Sequence, residues 1–136
     1  VVILLMSSVF SYGRNPQKEM EKKLIGTWCN PYTYEYSGEL KGFTFKKGGR
    51  CEAVNVPSLD LKSWEIKDGA LIIKGFMTGE TSEKEEYETI ERILKLNDDT
   101  LRVVSKESSP RVTFMYMNAK VIKERITPQV QKRKEK

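Results

Sequence analysis

Residues 42–54 read GFTFKKGGRCEAV, and this stretch decides the fold. Phe43 and Phe45 alternate with polar residues before the glycine pair, and Cys51 and Ala53 alternate with other residues after it. Side chains two residues apart share one face of a β-strand, so each half has an apolar face. A glycine pair between two such runs is typical of a tight turn. The stretch therefore predicts an antiparallel β-hairpin.

The same strand–turn–strand pattern runs along most of the chain. Asp68-Gly69 is its strongest short hairpin signal. Strands are predicted at about residues 24–30, 42–46, 50–54, 61–67, 71–75, 85–96, 101–105 and 111–117. Consecutive hairpins need no long crossover, and closure removes exposed edges, so we predict an all-β fold: an up-and-down antiparallel β-barrel of about eight strands. Residues 83–94 could instead be a charged helix, but their apolar residues form no clean helical stripe.

Segments of different composition flank the predicted barrel. Asn15-Pro16 is typical of the start of a helix, and Met20 and Leu24 then share one helical face. Residues 121–122 either extend the last strand or cap the barrel. The predicted divisions are a signal-peptide remnant at 1–13, a short helix or linker at 14–23, the barrel at 24–122 and a charged, disordered tail at 123–136.

Residues 1–10 read VVILLMSSVF, an apolar run shorter than the roughly 20 residues of a transmembrane helix. The run matches the core of a secretory signal peptide, with a small-residue cleavage site ending after Gly13. A fragment of buried strand or helix is the alternative. We therefore predict export to the periplasm or the cell exterior, with no transmembrane helix in the mature chain. A lipid anchor is not expected, because Val9 stands where a lipoprotein has its lipidated cysteine.

The composition argues against an enzyme and against a nucleic-acid-binding protein. The chain has no histidine, which is the most common general base and metal ligand. Two cysteines are too few for a structural zinc site, so no catalytic residue, metal or cofactor is predicted. Of the net charge of +5, the last five residues carry +3, which leaves little for a basic binding face. The acidic residues from Glu83 to Glu91 are interpreted as a solvated strand face.

The two cysteines are predicted to lie on opposite faces of the sheet. The alternation in its strand predicts that Cys51 points into the barrel. Cys29 follows Trp28 directly, so it is predicted to lie on the opposite face of the sheet from Trp28. A disulfide needs Cα atoms within about 7 Å and Cβ atoms that point towards each other. Two small apolar core residues are therefore favoured over a bridge, which an oxidising compartment would permit.

Gly26-Thr27-Trp28 opens the first predicted strand after a short helix. It is followed in order by Gly42-Phe43-Thr44-Phe45, Gly48-Gly49, Leu61-Lys62-Ser63-Trp64, Asp68-Gly69-Ala70-Leu71-Ile72-Ile73 and Leu94-Lys95-Leu96-Asn97-Asp98-Asp99-Thr100-Leu101. Over about residues 24–117 the chain resembles the small lipocalin-like exported proteins of Bacteroides-type bacteria. The resemblance implies a lipocalin-like barrel whose first tryptophan closes one end. It also implies an arginine packed over that tryptophan, either Arg102 or Arg111.

The leading hypothesis is a non-catalytic binding protein that holds a small hydrophobic or amphipathic ligand in its barrel. The candidate interior residues are Trp28, Phe43, Phe45, Trp64, Ile66, Leu71, Ile73, Phe114 and Tyr116. Tyr32, Tyr34 and Tyr36 are expected to form a loop over the open mouth, with a solvent-facing strand as the alternative. The competing hypothesis is a structural or interaction protein with a filled barrel, which contacts a protein partner through its surface or through the 32–36 loop.

Overall fold

Eight antiparallel strands form one closed barrel in chain order in the computed structural model, which describes residues 16–79, 83–106 and 111–129. The strands are β1 Gly26–Cys29, β2 Gly42–Lys46, β3 Arg50–Val54, β4 Leu59–Lys67, β5 Ala70–Thr78, β6 Lys84–Leu96, β7 Thr100–Ser105 and β8 Thr113–Asn118. Helices α1 Pro16–Leu24, α2 Pro31–Ser37 and α3 Ala119–Arg125 lie around them. The predicted all-β barrel with a short N-terminal helix is confirmed, and the acidic segment is a strand rather than a charged helix.

The tight turns form where glycine supplies the backbone angles that they need. Gly48 and Gly49 adopt φ angles of 86° and 80°, and Asp68 and Gly69 adopt 51° and 77°. In the two-residue turn at Asp68-Gly69, positive φ at both central residues gives a twist that matches the right-handed twist of the flanking strands. These turns therefore set the register of the β2–β3 and β4–β5 hairpins, as the sequence predicts.

Neighbouring strands of the barrel wall are joined by hydrogen-bonded ladders of different lengths. Strands β1 and β8 share two residue pairs, Trp28 with Asn118 and Cys29 with Met117. Strands β3 and β4 share one pair, at Arg50. Strands β1 to β3 are thus joined to the rest of the barrel by short ladders at both edges. Their buried side chains have to supply most of the remaining attachment.

One end of the barrel is closed by α1 and by two tryptophans. Leu24, the last residue of α1, is fully buried, and Met20 packs against the core one turn earlier. The indole N–H of Trp28 donates to the carbonyl oxygen of Leu24 at 2.8 Å, which ties β1 to the end of α1. The indole N–H of Trp64 donates to the carbonyl oxygen of Lys46 at 2.9 Å. Both indoles are therefore buried with their polar atoms satisfied.

Neither candidate arginine packs over Trp28. Arg102 is exposed on the outer face of β7, between the buried Leu101 and Val103. Arg111 is exposed ahead of β8. The expectation taken from the resemblance is therefore wrong for both residues, and the end of α1 covers the indole instead.

Residues 31–37 form a helix, where the sequence favoured a loop or an exposed strand. The side chain of Asn30 accepts hydrogen bonds from the backbone N–H groups of Tyr32 (2.8 Å) and Thr33 (3.1 Å). Pro31 occupies the first turn, and Gly38 ends the helix in the left-handed conformation. The alternation of tyrosines predicts the wrong element because these capping residues outweigh a period-two pattern over so short a segment.

The predicted boundary between barrel and tail at residues 122/123 falls within a helix. Helix α3 crosses it, packs on β1 and β8, and buries Ile122. Asn118 caps the helix by accepting from the backbone N–H of Lys120 at 3.0 Å. Farther along, Pro128 is buried, so the predicted disorder does not extend back to residue 123. Residues 130–136 of the predicted tail, and the predicted signal peptide at 1–13, lie outside the described residues.

Cys29 and Cys51 are both buried and both free. Cys51 belongs to the interior core, whereas Cys29 alternates with the inward Trp28 and lies near Lys123 of α3. Burial raises the pKa of Cys29 to about 11 and that of Cys51 to about 12. Both thiols therefore stay protonated near neutral pH and act as small apolar core residues.

Candidate functional site

The end of the barrel opposite α1 contains an interior cavity of about 310 Å³. Its apolar and aromatic wall is formed by Phe43, Leu59, Leu61, Ile73, Phe114 and Tyr116. Its polar lining is formed by Tyr87, Thr89, Glu91 and Ser105. Gly42 lies at its edge, where a Cβ atom would meet the carbonyl oxygen of Trp28. A glycine there lets β1 and β2 approach closely.

Aromatic rings run from this interior cavity into the core. The ring centroids of Phe43 and Tyr116 lie 4.7 Å apart, at 60° to each other. Phe43 also contacts Phe45 at 4.8 Å, and Phe45 contacts Trp64 at 5.2 Å. Tilted and edge-on pairs at these distances are favourable beyond the area that they bury. At the rim, Phe114 keeps 40% of its surface exposed and marks the entrance.

The residues predicted for the barrel interior divide between the cavity and the closed end. Those that line the cavity are Phe43, Ile73, Phe114 and Tyr116. Those that pack in the core without lining it are Trp28, Phe45, Trp64, Ile66 and Leu71. Alternation along a strand predicts which side chains point inward, but their depth depends on the pairing between strands. Leu59 and Leu61 were outside the predicted set, although their own alternation would extend the fourth strand by two residues.

The three tyrosines predicted at the mouth lie on α2 and do not line the cavity. Tyr32 is 65% exposed and Tyr36 is 73% exposed, whereas Tyr34 is half-buried. A helix distributes residues two apart around its axis, so the three rings do not share one face. The structure therefore separates these tyrosines from the cavity.

Glu91 is a buried acid in the wall of the interior cavity, with 7% of its surface exposed. The interpretation of the acidic run as a solvated face holds for Glu86 and Glu88, which are exposed, but it is wrong for Glu91. The signal was present in the alternation of β6, where Tyr87 and Thr89 share the inward phase with Glu91. No ion pair or side-chain hydrogen bond joins this carboxyl group to the described part of the chain.

Burial changes the titration of the groups around this acid. It raises the pKa of Glu91 from 4.5 to about 7, because the charged form loses its hydration. Burial and the neighbouring carboxylate of Glu91 also raise the pKa values of Tyr87 and Tyr116. The Thr89 hydroxyl oxygen is buried without a hydrogen-bond partner. The cavity thus presents polar groups that are not satisfied within the described chain.

Such a cavity can hold an apolar body and hydrogen-bond one polar group. Over the described ranges, no group of three or more cysteine, aspartate or glutamate side chains could hold a metal ion. Nor does any helix in those ranges have the length and apolar character needed to cross a membrane.

Comparison with known proteins gives two similarities. A sequence model described as lipocalin-like matches residues 20–119. The crystal structure of a lipocalin-like protein from Bacteroides thetaiotaomicron is similar to this chain with a TM-score of 0.60 and 23% sequence identity, covering 70% of this chain and 95% of the other. At that identity the structural similarity shows the fold alone. A search of curated proteins finds no significant match.

Proposed function

Because this chain belongs to the lipocalin-like family over residues 20–119, we propose that it is a non-catalytic binding protein that holds a small apolar or amphipathic ligand in its interior cavity. Membership of the family confirms the resemblance inferred from Gly26-Thr27-Trp28 and the motifs that follow it. The observation that carries the proposal is the cavity itself, because a barrel of this size could equally have been filled by side chains.

The cavity fits a compact ligand. Ligand sites commonly enclose roughly 300–1,000 Å³, are lined mainly by apolar and aromatic side chains, and present a few placed polar groups. A volume of about 310 Å³ lies at the lower end of that range. Phe43, Ile73 and Phe114 would contact the body of the ligand, and the partly exposed ring of Phe114 would border its path of entry.

Binding of a neutral fluorescent probe, N-phenyl-1-naphthylamine, should be saturable at one site per chain. We expect a dissociation constant in the micromolar range, because burial of a few hundred Å² of apolar surface at about 25 cal/mol per Å² has to offset the free energy of association. The fluorescence increase of the probe, together with the emission of Trp28 and Trp64, would be followed during titration. Fluorescent fatty-acid and retinoid probes extend the test to larger ligands.

The matched pair of variants for this test lies on β7. Ser105→Phe introduces a ring into the cavity, whereas Val104→Phe introduces the same ring on the outer face of the same strand. Loss of probe binding in the first variant alone is the expected result. Equal binding by both variants, or no saturable binding by the wild type, would contradict the proposal.

A second candidate function is contact with a protein partner through α2. The exposed rings of Tyr32 and Tyr36 favour it, because tyrosine is enriched at interfaces, where it combines a large apolar area with a polar tip. This function does not need the cavity. This function would be supported if the probes fail to bind, and if Tyr32→Ser and Tyr36→Ser weaken the binding of a protein partner to the intact chain.

Export is proposed together with the binding role. The apolar run at residues 1–10 and the small-residue site at Ser11-Tyr12-Gly13 support it. Mass spectrometry of the protein from its native cell envelope should find a mature chain that starts near Arg14. Recovery from the cytosol with residues 1–13 still attached would contradict export without affecting the binding proposal.

A further inference from the structure

Glu91 is buried at a position where an ionised carboxyl group lowers the stability of the fold unless it has a partner. More than nine-tenths of its surface is buried, and no cation or hydrogen-bond donor in the described chain pairs with it. A charge buried without a partner destabilises a fold by several kcal/mol in general, so such groups are ordinarily paired. The carboxyl group nevertheless lines an interior cavity of about 310 Å³, which is large enough for a ligand.

A second unsatisfied group lies in the same lining. The buried Thr89 hydroxyl oxygen has no hydrogen-bond partner, and it belongs to the same inward face of β6 as Glu91. Buried polar atoms are nearly always satisfied in folded proteins, so this hydroxyl oxygen, beside a carboxyl group that no described donor pairs with, points to a donor-rich occupant. A protonated amine supplies three donors to neighbouring oxygens.

The charge inside the cavity has one sign. Among the described residues that line it, Glu91 is the only acid, and none is a lysine or an arginine. The basic residues of the neighbouring strands point outward: Lys74 of β5 pairs with Glu88 on the outer surface at 3.6 Å, and Arg102 of β7 is exposed. Glu85, also in the inward phase of β6, is exposed and carries a further negative charge on this strand.

We propose that the interior cavity is a binding site for a compact organic amine, whose ammonium group donates to the Glu91 carboxylate and the Thr89 hydroxyl while its apolar body packs against Phe43, Ile73 and Phe114. This inference rests on the proposed binding function and names its ligand class. The aromatic wall suits the same ligand, because ring faces attract cations as well as apolar groups. The volume of about 310 Å³ restricts the site to amines with a small aromatic or aliphatic body.

Three probes of one shape test the class of ligand. They are 2-phenylethylamine, 2-phenylethanol and phenylacetate, which carry a positive, a neutral and a negative group on the same ring. By titration calorimetry at about pH 8.5 the amine should bind about tenfold or more tightly than the alcohol, because hydrogen bonds to a charged group are the stronger ones. Phenylacetate should bind most weakly, because its charge repeats that of Glu91.

The affinity for the amine should depend on the ionisation of Glu91. With a pKa of about 7, this carboxyl group is ionised in roughly one molecule in thirty at about pH 5.5, so the apparent dissociation constant of the amine should rise about 30-fold between pH 8.5 and pH 5.5. An aliphatic ammonium stays protonated over this interval. The other titratable groups that line the cavity are Tyr87 and Tyr116, and Cys51 lies near Tyr87 in the core; all have pKa values raised by burial, so they remain neutral.

Glu91→Gln keeps the shape of the side chain and removes its charge. This variant should lose both the preference for the amine and the pH dependence, while it still binds 2-phenylethanol. The matched control is Glu86→Gln, an exposed acid on the outer face of β6, which should behave as the wild type. Retained binding of 2-phenylethanol by Glu91→Gln also shows that the variant is folded.

The outcomes separate this inference from the proposed function. Equal affinity for the amine and the alcohol, or an amine preference that survives in Glu91→Gln, would overturn the amine site and leave a binding protein for neutral ligands. If none of the three probes binds and N-phenyl-1-naphthylamine also fails, both proposals are wrong. If only the neutral probes bind, the binding function stands and the ligand is not an amine.

Discussion

Replacing Trp28 with alanine should lower the free energy of unfolding by about 3–5 kcal/mol. The indole is 1% exposed and fills the closed end of the barrel. Its removal leaves a cavity, and a closed ring of β-strands cannot easily contract to fill it. It also leaves the carbonyl oxygen of Leu24 without the donor that it now has at 2.8 Å. Such a loss is a large share of the roughly 5–15 kcal/mol by which a domain is stable.

Urea unfolding followed by circular dichroism measures this change. Trp64→Ala should fall in the same range, because Trp64 is 6% exposed and also donates from its indole N–H. Tyr36→Ala is the matched control: the ring is 73% exposed, so the change should stay within about 0.5 kcal/mol. A loss below about 1 kcal/mol for Trp28→Ala would show that the indole does not close the barrel.

The second large effect is a decline in stability as the pH rises. Folded protein keeps the proton on Glu91 up to about pH 7, whereas the unfolded chain releases it near pH 4.5. Between these values the folded state binds more protons, so a rise in pH favours unfolding. The free energy of unfolding should therefore fall by about 3 kcal/mol from below pH 4.5 to above pH 7, because each tenfold difference in proton affinity between the two states corresponds to about 1.36 kcal/mol.

The variants of β6 isolate this contribution. Glu91→Gln should remove the decline and be more stable than the wild type at about pH 8, because a neutral amide has no buried charge to stabilise. Glu86→Gln should keep the decline, because the carboxyl group of Glu86 is exposed. Urea titrations at several pH values give the comparison. A wild-type stability that stays level or rises from pH 4.5 to pH 8 would exclude the buried, unpaired state of Glu91.

The barrel could be predicted from the sequence because its signals are local. Alternation of Phe43 with Phe45 marks a strand with one buried face, and Asp68-Gly69 supplies positive φ angles for a two-residue turn. Each of these features involves residues that are neighbours in the chain. Repeated along the sequence, they leave an up-and-down barrel as the arrangement without exposed edges.

The tertiary structure alone decided how deep each inward side chain lies. Phe43 and Phe45 have the same phase in β2, yet only Phe43 lines the cavity, because β2 pairs with β1 and β3 in a register that places Phe45 against Trp64. Similarly, Glu85 and Glu91 share the inward phase of β6, yet Glu85 is exposed and only Glu91 is buried inside the closed barrel. Burial, and with it the pKa of a carboxyl group, depends on what distant strands bring around the side chain. Local patterns in the sequence do not contain that information, since the pairing that encloses the cavity joins residues far apart in the chain.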